Sequence, residues 1–184
     1  MSAQVAADAD AIDLASLGVM HPLLPPDMAG VMITRAALGL QRNKHSSGTA
    51  LQMDVERVVL RCILAWPEAD LRTAKQHDRN RITEDGAEAI ALAVAHRIRG
   101  WCVRRRLQRG EYADWLLEYR GGGKKRLVAL EVSGVDCGSI ADNLRKELAQ
   151  VAKCTEGDER WAGVVGFEKP EAALRPAEVR AHGR

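Results

Sequence analysis

Apolar residues recur every three to four positions in several parts of the chain, which is the spacing of one face of an α-helix. One such part runs from Leu51 to Ile63, with charged residues on the opposite side. In another, Thr83 can cap the first turn and Gly100 can end the helix. The pattern predicts helices over 31–44, 50–65, 83–99 and 139–153.

Between the last two predicted helices, the apolar spacing changes to two, which is the period of a β-strand. Trp115 and Leu117 share one face of such a run, and Arg126 to Ser133 is the most strand-like segment. The predicted strands cover 101–106, 112–119, 126–133 and 161–167. The order of elements from residue 83 onward is therefore α-β-β-β-α-β, which predicts an α/β sandwich.

These elements divide the chain into four predicted regions. Residues 1–28 contain a proline-rich run and are expected to form a loosely attached tail. Residues 29–82 are expected to form an N-terminal helical extension that covers a sheet face or forms a homodimer surface. Residues 83–170 form the predicted α/β core, and the polar residues 171–184 are expected to be a frayed tail or a short helix.

Composition excludes several classes of protein. The 184 residues are 46% hydrophobic and 28% charged, with a formal net charge of +2, which is typical of a folded domain. No run is long and apolar enough to span a membrane. The first residues carry acids where a targeting leader has positive charges. The four cysteines lack metal-binding spacing, so we expect free thiols and a cytoplasmic location.

Three carboxylates are unusual in their surroundings. Glu131 is the one acid in an apolar strand, Asp114 interrupts the preceding strand, and Glu88 lies at the edge of an apolar helix stripe. A buried carboxylate costs several kcal/mol unless it is paired or bound to a cation. If they converge, they form an oxygen site suited to Mg²⁺ or Mn²⁺. Each one alone could instead pair with an arginine or lie in water.

The element order, with Asp114 on the second strand and Glu131-Val132-Ser133 on the third, resembles the PD-(D/E)xK phosphodiesterase superfamily, the restriction-endonuclease-like nucleases. The resemblance covers residues 83–167, about half of the chain. It implies a restriction-endonuclease-like core in which Asp114, Glu131 and Glu88 bind a divalent metal ion. It also implies hydrolysis of phosphodiester bonds in nucleic acid.

The sequence departs from the family pattern at two positions. Ala113 precedes Asp114 where the family has a proline, which matters little. Ser133 stands where the family has a lysine that orients the attacking water and offsets developing negative charge. Lys146, in the following helix, is a candidate substitute, and Gln150 lies on the same polar stripe. The resemblance therefore implies a catalytic set of Glu88, Asp114, Glu131, Ser133, Lys146 and Gln150.

Basic residues cluster next to these carboxylates in the sequence. The candidate phosphate-binding residues are Arg104, Arg105, Arg106, Arg109, Lys124 and Lys125. Contacts of this kind to a phosphate backbone give affinity without sequence specificity. The same residues could instead form a solvated surface. Aromatic residues make up only 4% of the chain, which argues against single-strand binding by base stacking.

The sequence thus predicts a metal-dependent nuclease with little sequence specificity, acting on DNA in preference to RNA. Two alternatives stay open. One is a catalytically inactive member of the same fold that serves as a nucleic-acid-binding or scaffold subunit, which the missing lysine favours. The other is a plain protein-interaction domain in which Glu131 is merely paired with an arginine. Carboxylates that point apart would favour this last alternative.

Overall fold

Eight strands form one mixed sheet in the computed structural model, which describes residues 9–178. The strands are β1 (Ala9–Asp13), β2 (Thr49–Val55), β3 (Val58–Ala65), β4 (Cys102–Arg106), β5 (Trp115–Gly121), β6 (Lys124–Val135), β7 (Glu159–Gly166) and β8 (Glu171–Pro176). Their order across the sheet is β1-β3-β2-β8-β7-β6-β5-β4. The predicted α/β class is confirmed.

Helices cover the sheet on both faces. They are α1 (Leu17–Met20), α2 (Pro26–Arg42), α3 (Arg79–Arg99) and α4 (Ile140–Val151), with short 3₁₀ turns at Leu14–Ser16 and Leu71–Gln76. Helices α2 and α3 pack in one apolar core with Val128, Leu130 and Val132 of β6. Helix α4 packs on the other face, against Ala129 and Ala162. Glu131 lies two residues after Ala129 in β6, so its side chain lies on the same face of the sheet, the one that α4 covers.

The predicted α-β-β-β-α-β order is confirmed as α3, β4, β5, β6, α4 and β7. Strands β4, β5 and β6 are successive antiparallel neighbours, and α4 connects β6 to the parallel strand β7. Helix α3 begins earlier than predicted, because Asp78 and not Thr83 caps it by accepting a hydrogen bond from Arg81 N. It ends as predicted at Gly100, whose φ of 65° is left-handed.

The predicted helix over 50–65 is wrong, because these residues form the β2–β3 hairpin. Leu51, Met53 and Val55 alternate toward the core, but the apolar positions of the two strands together also fit helical spacing. The turn residues Glu56 and Arg57 have φ values of 51° and 69°. Hairpin turns of this type favour Asn and Gly, so the sequence gives no turn signal here. The homodimer surface considered for residues 29–82 therefore cannot be a helix over 50–65.

The two ends of the described chain also differ from the prediction. Residues 9–13 are not a loose tail but form β1 beside β3, and Ile12 is fully buried. Pro26 occupies the first turn of α2, where proline is favourable. The predicted frayed segment contains β8, which lies between β2 and β7. Residues 1–8 and 179–184 of the predicted tails lie outside the described residues.

Two expectations drawn from composition can be compared with the described chain. The cysteines Cys62, Cys102, Cys137 and Cys154 are free, as expected, and Cys62 and Cys154 are buried. None of the helices within residues 9–178 combines the length and the apolar character that crossing a membrane requires.

Arg57→Gly is expected to stabilise the hairpin by up to about 1 kcal/mol. Left-handed backbone costs a non-glycine residue about 1–2 kcal/mol, and the greater freedom of glycine in the unfolded chain offsets part of the gain. Urea unfolding of both proteins measures the change. The same substitution at Arg61, inside β3, is the control and should destabilise the fold. A loss of stability in Arg57→Gly as large as that in Arg61→Gly would contradict the turn assignment.

Candidate functional site

An open cleft of about 300 Å³ lies where the chain enters β5. Three of the predicted site residues, Asp114, Glu131 and Gln150, line this one cleft, together with Arg109 of the predicted basic set. The remaining lining residues are Leu107, Gln108, Gly110, Tyr112 and Ala113. Asp114 and Glu131 therefore do not point apart.

Asp114 is fixed by the backbone of β6. Its Oδ2 accepts a hydrogen bond of 2.9 Å from Val132 N, and its own N–H donates to Leu130 O at 3.1 Å. Burial raises the pKa of Asp114, while the Val132 N–H and the charge of Arg106 oppose that shift. The result is a carboxylate held rigidly at the start of β5.

Glu131 is buried, with 7% of its surface exposed. Its Oε1 accepts a hydrogen bond of 2.5 Å from Gln150 Nε2, which α4 brings over the strand. Burial raises the pKa of Glu131 to about 8, with further contributions from the negative charges of Asp114, Glu147 and Glu88 in that order. The Glu131 side chain is therefore protonated at neutral pH when no added cation balances these charges.

Glu88 faces a cation of the chain itself. It is buried in α3, and its Oε1 accepts a 2.8 Å hydrogen bond from Arg106, whose guanidinium carbon lies 5.1 Å from the Trp115 ring centroid. Burial raises the pKa of Glu88 to about 7 against the opposing charge of Arg106. Glu88 Oε2 and Trp115 Nε1 have no hydrogen-bond partner among the described residues. Trp115 therefore lowers the pKa of Glu88 less than Arg106 does.

Of the two α4 residues that the sequence names, Gln150 lines the cleft and Lys146 does not. Lys146 is exposed, and its charge acts on the neighbouring Glu147, whereas neither Asp114 nor Glu131 is shifted by it. Burial raises the pKa of Glu147, and the nearby Ser133 hydroxyl lowers it in part. Sequence reasoning missed Glu147, although it lies three residues before Gln150 and thus on the same helix face.

Most of the predicted phosphate-binding residues are paired with acids of the chain. Arg105 contacts Glu111 at 3.0 Å and Glu156 at 3.2 Å, and Lys125 contacts Glu118 at 2.6 Å. The same Glu118 lies 3.6 Å from Arg104, while Arg106 is held by Glu88. Arg109 and Lys124 are exposed and form no ion pair within residues 9–178. The free positive charge beside the cleft is therefore smaller than the sequence suggests.

Comparisons with known proteins give no relative. No family model matches the sequence. No curated protein and no solved structure is a significant match either. Only the residues of the cleft itself therefore indicate its chemistry.

The donor set of the cleft can be tested against the divalent ion that the sequence predicts. Within the part of the chain that the structure describes, no three His, Cys, Asp or Glu side chains are arranged to hold a metal ion. Asp114 and Glu131 each have one carboxylate oxygen that accepts no hydrogen bond from a residue of 9–178. Mg²⁺ commonly uses one or two carboxylates and completes its shell with water and substrate phosphate. The pair has the oxygen donors that such a site uses, whereas Glu88 is already paired with Arg106.

Proposed function

We propose that this chain is a divalent-metal-dependent nuclease with a restriction-endonuclease-like core that hydrolyses phosphodiester bonds in nucleic acid. The observation that carries the proposal is the pair Asp114 and Glu131, which face one open cleft at the junction of adjacent strands. The adjacent order β7-β6-β5-β4 and the crossover helix α4 also agree with the implied core.

Asp114 and Glu131 are the residues that would hold Mg²⁺ or Mn²⁺. The ion, when bound, supplies Lewis acidity, which polarises the phosphate and lowers the pKa of a bound water. The chain has to keep both carboxylates in place and ionised for this purpose. The Val132 N–H orients Asp114, and the Gln150 amide orients Glu131. A cation that offsets the negative charges of Asp114, Glu147 and Glu88 favours ionisation of Glu131, because these charges contribute to its raised pKa.

Arg106 is the fixed positive charge of the site. Its guanidinium is held between Glu88 and the face of Trp115, and its charge lowers the pKa of Asp114 against burial. We propose that Arg106 keeps Asp114 ionised at neutral pH. In this scheme, Arg106 and not Lys146 partly replaces the positive charge that Ser133 does not supply.

Cleavage of plasmid, linear duplex and single-stranded nucleic acid in Mg²⁺ or Mn²⁺ tests the proposal. Asp114→Asn should lower the rate at least about 100-fold, because it removes a full charge while its amide oxygen can still accept from Val132 N. Glu168→Gln is the matched control, since that carboxylate is exposed in the turn after β7. Equal rates for Asp114→Asn and wild type, or no cleavage of any substrate by wild type, would contradict the proposal.

A second candidate function is a nucleic-acid-binding subunit without catalysis. The placement of Ser133 near Glu147 and the Glu88–Arg106 ion pair favour it, since Ser133 and Glu88 occupy positions where the family implies a lysine and a metal ligand. This alternative predicts retention of labelled DNA or RNA in a gel-shift assay with no product at any divalent ion concentration. It also predicts that Asp114→Asn binds at least as well as wild type.

A further inference from the structure

We infer that Tyr112 is a stacking platform that makes the cleft select an unpaired nucleotide over a base pair. This inference specifies the substrate of the proposed nuclease and rests on that function. It reverses the expectation, drawn from the low aromatic content, that base stacking plays no part. What matters is the position of one ring and not the number of rings.

Tyr112 is the exposed aromatic side chain of the described chain. Its surface is 48% exposed, whereas the other aromatic rings are buried or partly buried. Those rings are Trp66, Trp101, Trp115, Tyr119, Trp161 and Phe167. A planar group that covers the face of an exposed ring removes apolar surface from water, which is favourable. Base–aromatic stacking has this effect with any base.

The ring stands at the mouth of the cleft that contains the carboxylates. Tyr112 lines the cleft and lies two residues before Asp114. The loop that carries it is anchored, because Glu111 binds Arg105 at 3.0 Å and also accepts a hydrogen bond from Gln108 N. A base stacked on Tyr112 would place its adjoining phosphate beside Asp114 and Glu131.

The backbone of Tyr112 is unfavourable for such a residue. Its φ is 62°, a conformation that is rare for bulky side chains. The other non-glycine residues with positive φ are Lys44, Glu56 and Arg57, which follow a helix or form the hairpin turn. Strained residues that line a cleft commonly serve the site. Glycine or asparagine would relieve the strain here, but neither would present a ring.

The size and charge of the cleft agree with a single nucleotide. Its volume of about 300 Å³ is at the small end of ligand pockets. Lys153 Nζ lies over the Tyr112 ring, 6.0 Å from its centroid, and Arg109 lines the cleft. These two cations can meet the phosphates on either side of a stacked base.

Fluorescence anisotropy with labelled oligo-dT, oligo-rU and a duplex of the same length tests the inference, with Ca²⁺ replacing Mg²⁺ to limit cleavage. Both single strands should bind wild type more tightly than the duplex, and the two single strands show whether the sugar matters. Tyr112→Asn removes the ring but tolerates the positive φ, and it should weaken single-strand binding roughly 5- to 150-fold. Tyr112→Phe keeps the ring and should bind like wild type.

Equal single-strand affinities for Tyr112→Asn and wild type, or duplex affinity equal to that of the single strands, would overturn the inference. Cleavage of the same oligonucleotides in Mn²⁺ separates this result from a failure of the proposed function. Equal single-strand cleavage rates for Tyr112→Asn and wild type would refute stacking but support the nuclease. Single-strand binding that depends on Tyr112, without any cleavage, would support stacking and refute hydrolysis.

Discussion

Glu131→Gln is expected to stabilise the fold by roughly 4 kcal/mol at pH 9 and, in the same variant, to lower any hydrolysis at least about 1,000-fold. The two effects have one cause. Burial and negative neighbours raise the pKa of Glu131 to about 8, so its ionised form is costly in the folded protein. Glutamine removes the charge, and its amide oxygen can still accept the hydrogen bond from Gln150.

The pH dependence of this stability difference follows from the direction in which the pKa of Glu131 is shifted. Because the folded-state pKa of Glu131 lies above its ordinary value of 4.5, its contribution to stability is fully present below about pH 4.5. It is lost as the pH rises through about 8. Glu131→Gln should therefore match wild type at and below about pH 4.5, exceed it increasingly between about pH 4.5 and 8, and keep a constant advantage above that.

Urea unfolding across this pH range, with a chelator present, measures the effect. Glu168→Gln is again the control, and its stability relative to wild type should not vary with pH in this way. Adding Mg²⁺ at pH 9 should stabilise wild type more than Glu131→Gln if the carboxylate holds the ion. Parallel stability curves for Glu131→Gln and wild type would show that Glu131 ionises normally.

Gly134→Ala is expected to destabilise the protein by about 3 kcal/mol or more. A Cβ at this position of β6 would lie 2.2 Å from Thr83 O and 2.8 Å from the Thr83 carbonyl carbon. Because those atoms are backbone, helix α3 has to move away from the sheet. The same movement would separate Glu88, one turn further along α3, from Arg106 and Asp114.

Gly30→Ala provides the matched control for that substitution. Gly30 lies inside α2, has ordinary helical φ, and a Cβ there would meet nothing within 4 Å. Alanine should therefore stabilise the helix by about 0.5–1 kcal/mol. Urea unfolding compares both variants with wild type. A Gly134→Ala protein as stable as wild type would mean that α3 and β6 are not in close contact.

The sequence predicted the second half of the fold better than the first. Between residues 83 and 167, long helical stripes alternate with strands that show a clear period of two, so type and order are correct. At 49–65, two short strands joined by Glu56 and Arg57 give helical spacing by coincidence and carry no turn residue. At 171–176, a short segment with charged ends gives almost no pattern, and only pairing with β2 and β7 reveals a strand.

The candidate site, like the fold, was predictable from the sequence only in part. Asp114 and Glu131 stand out because a carboxylate in a strand is unusual, and they do line one cleft. Ion pairs depend on tertiary distance, so the pairing of Arg106 with Glu88 and of Arg105 with Glu156 left no trace in sequence spacing. The role of Lys146 stays a prediction, since Gln150 is the α4 residue that hydrogen-bonds to Glu131 and Lys146 is exposed.

The place of β8 has a consequence for the order of events during synthesis. Within the sheet, the group β1-β3-β2 joins the group β7-β6-β5-β4 only through β8. A chain emerging from the ribosome therefore holds two half-sheets, with β2 and β7 as open edges, until residues 171–176 have left the exit tunnel. Open strand edges promote association between chains. We expect pausing of translation before this segment to increase aggregation of the nascent protein.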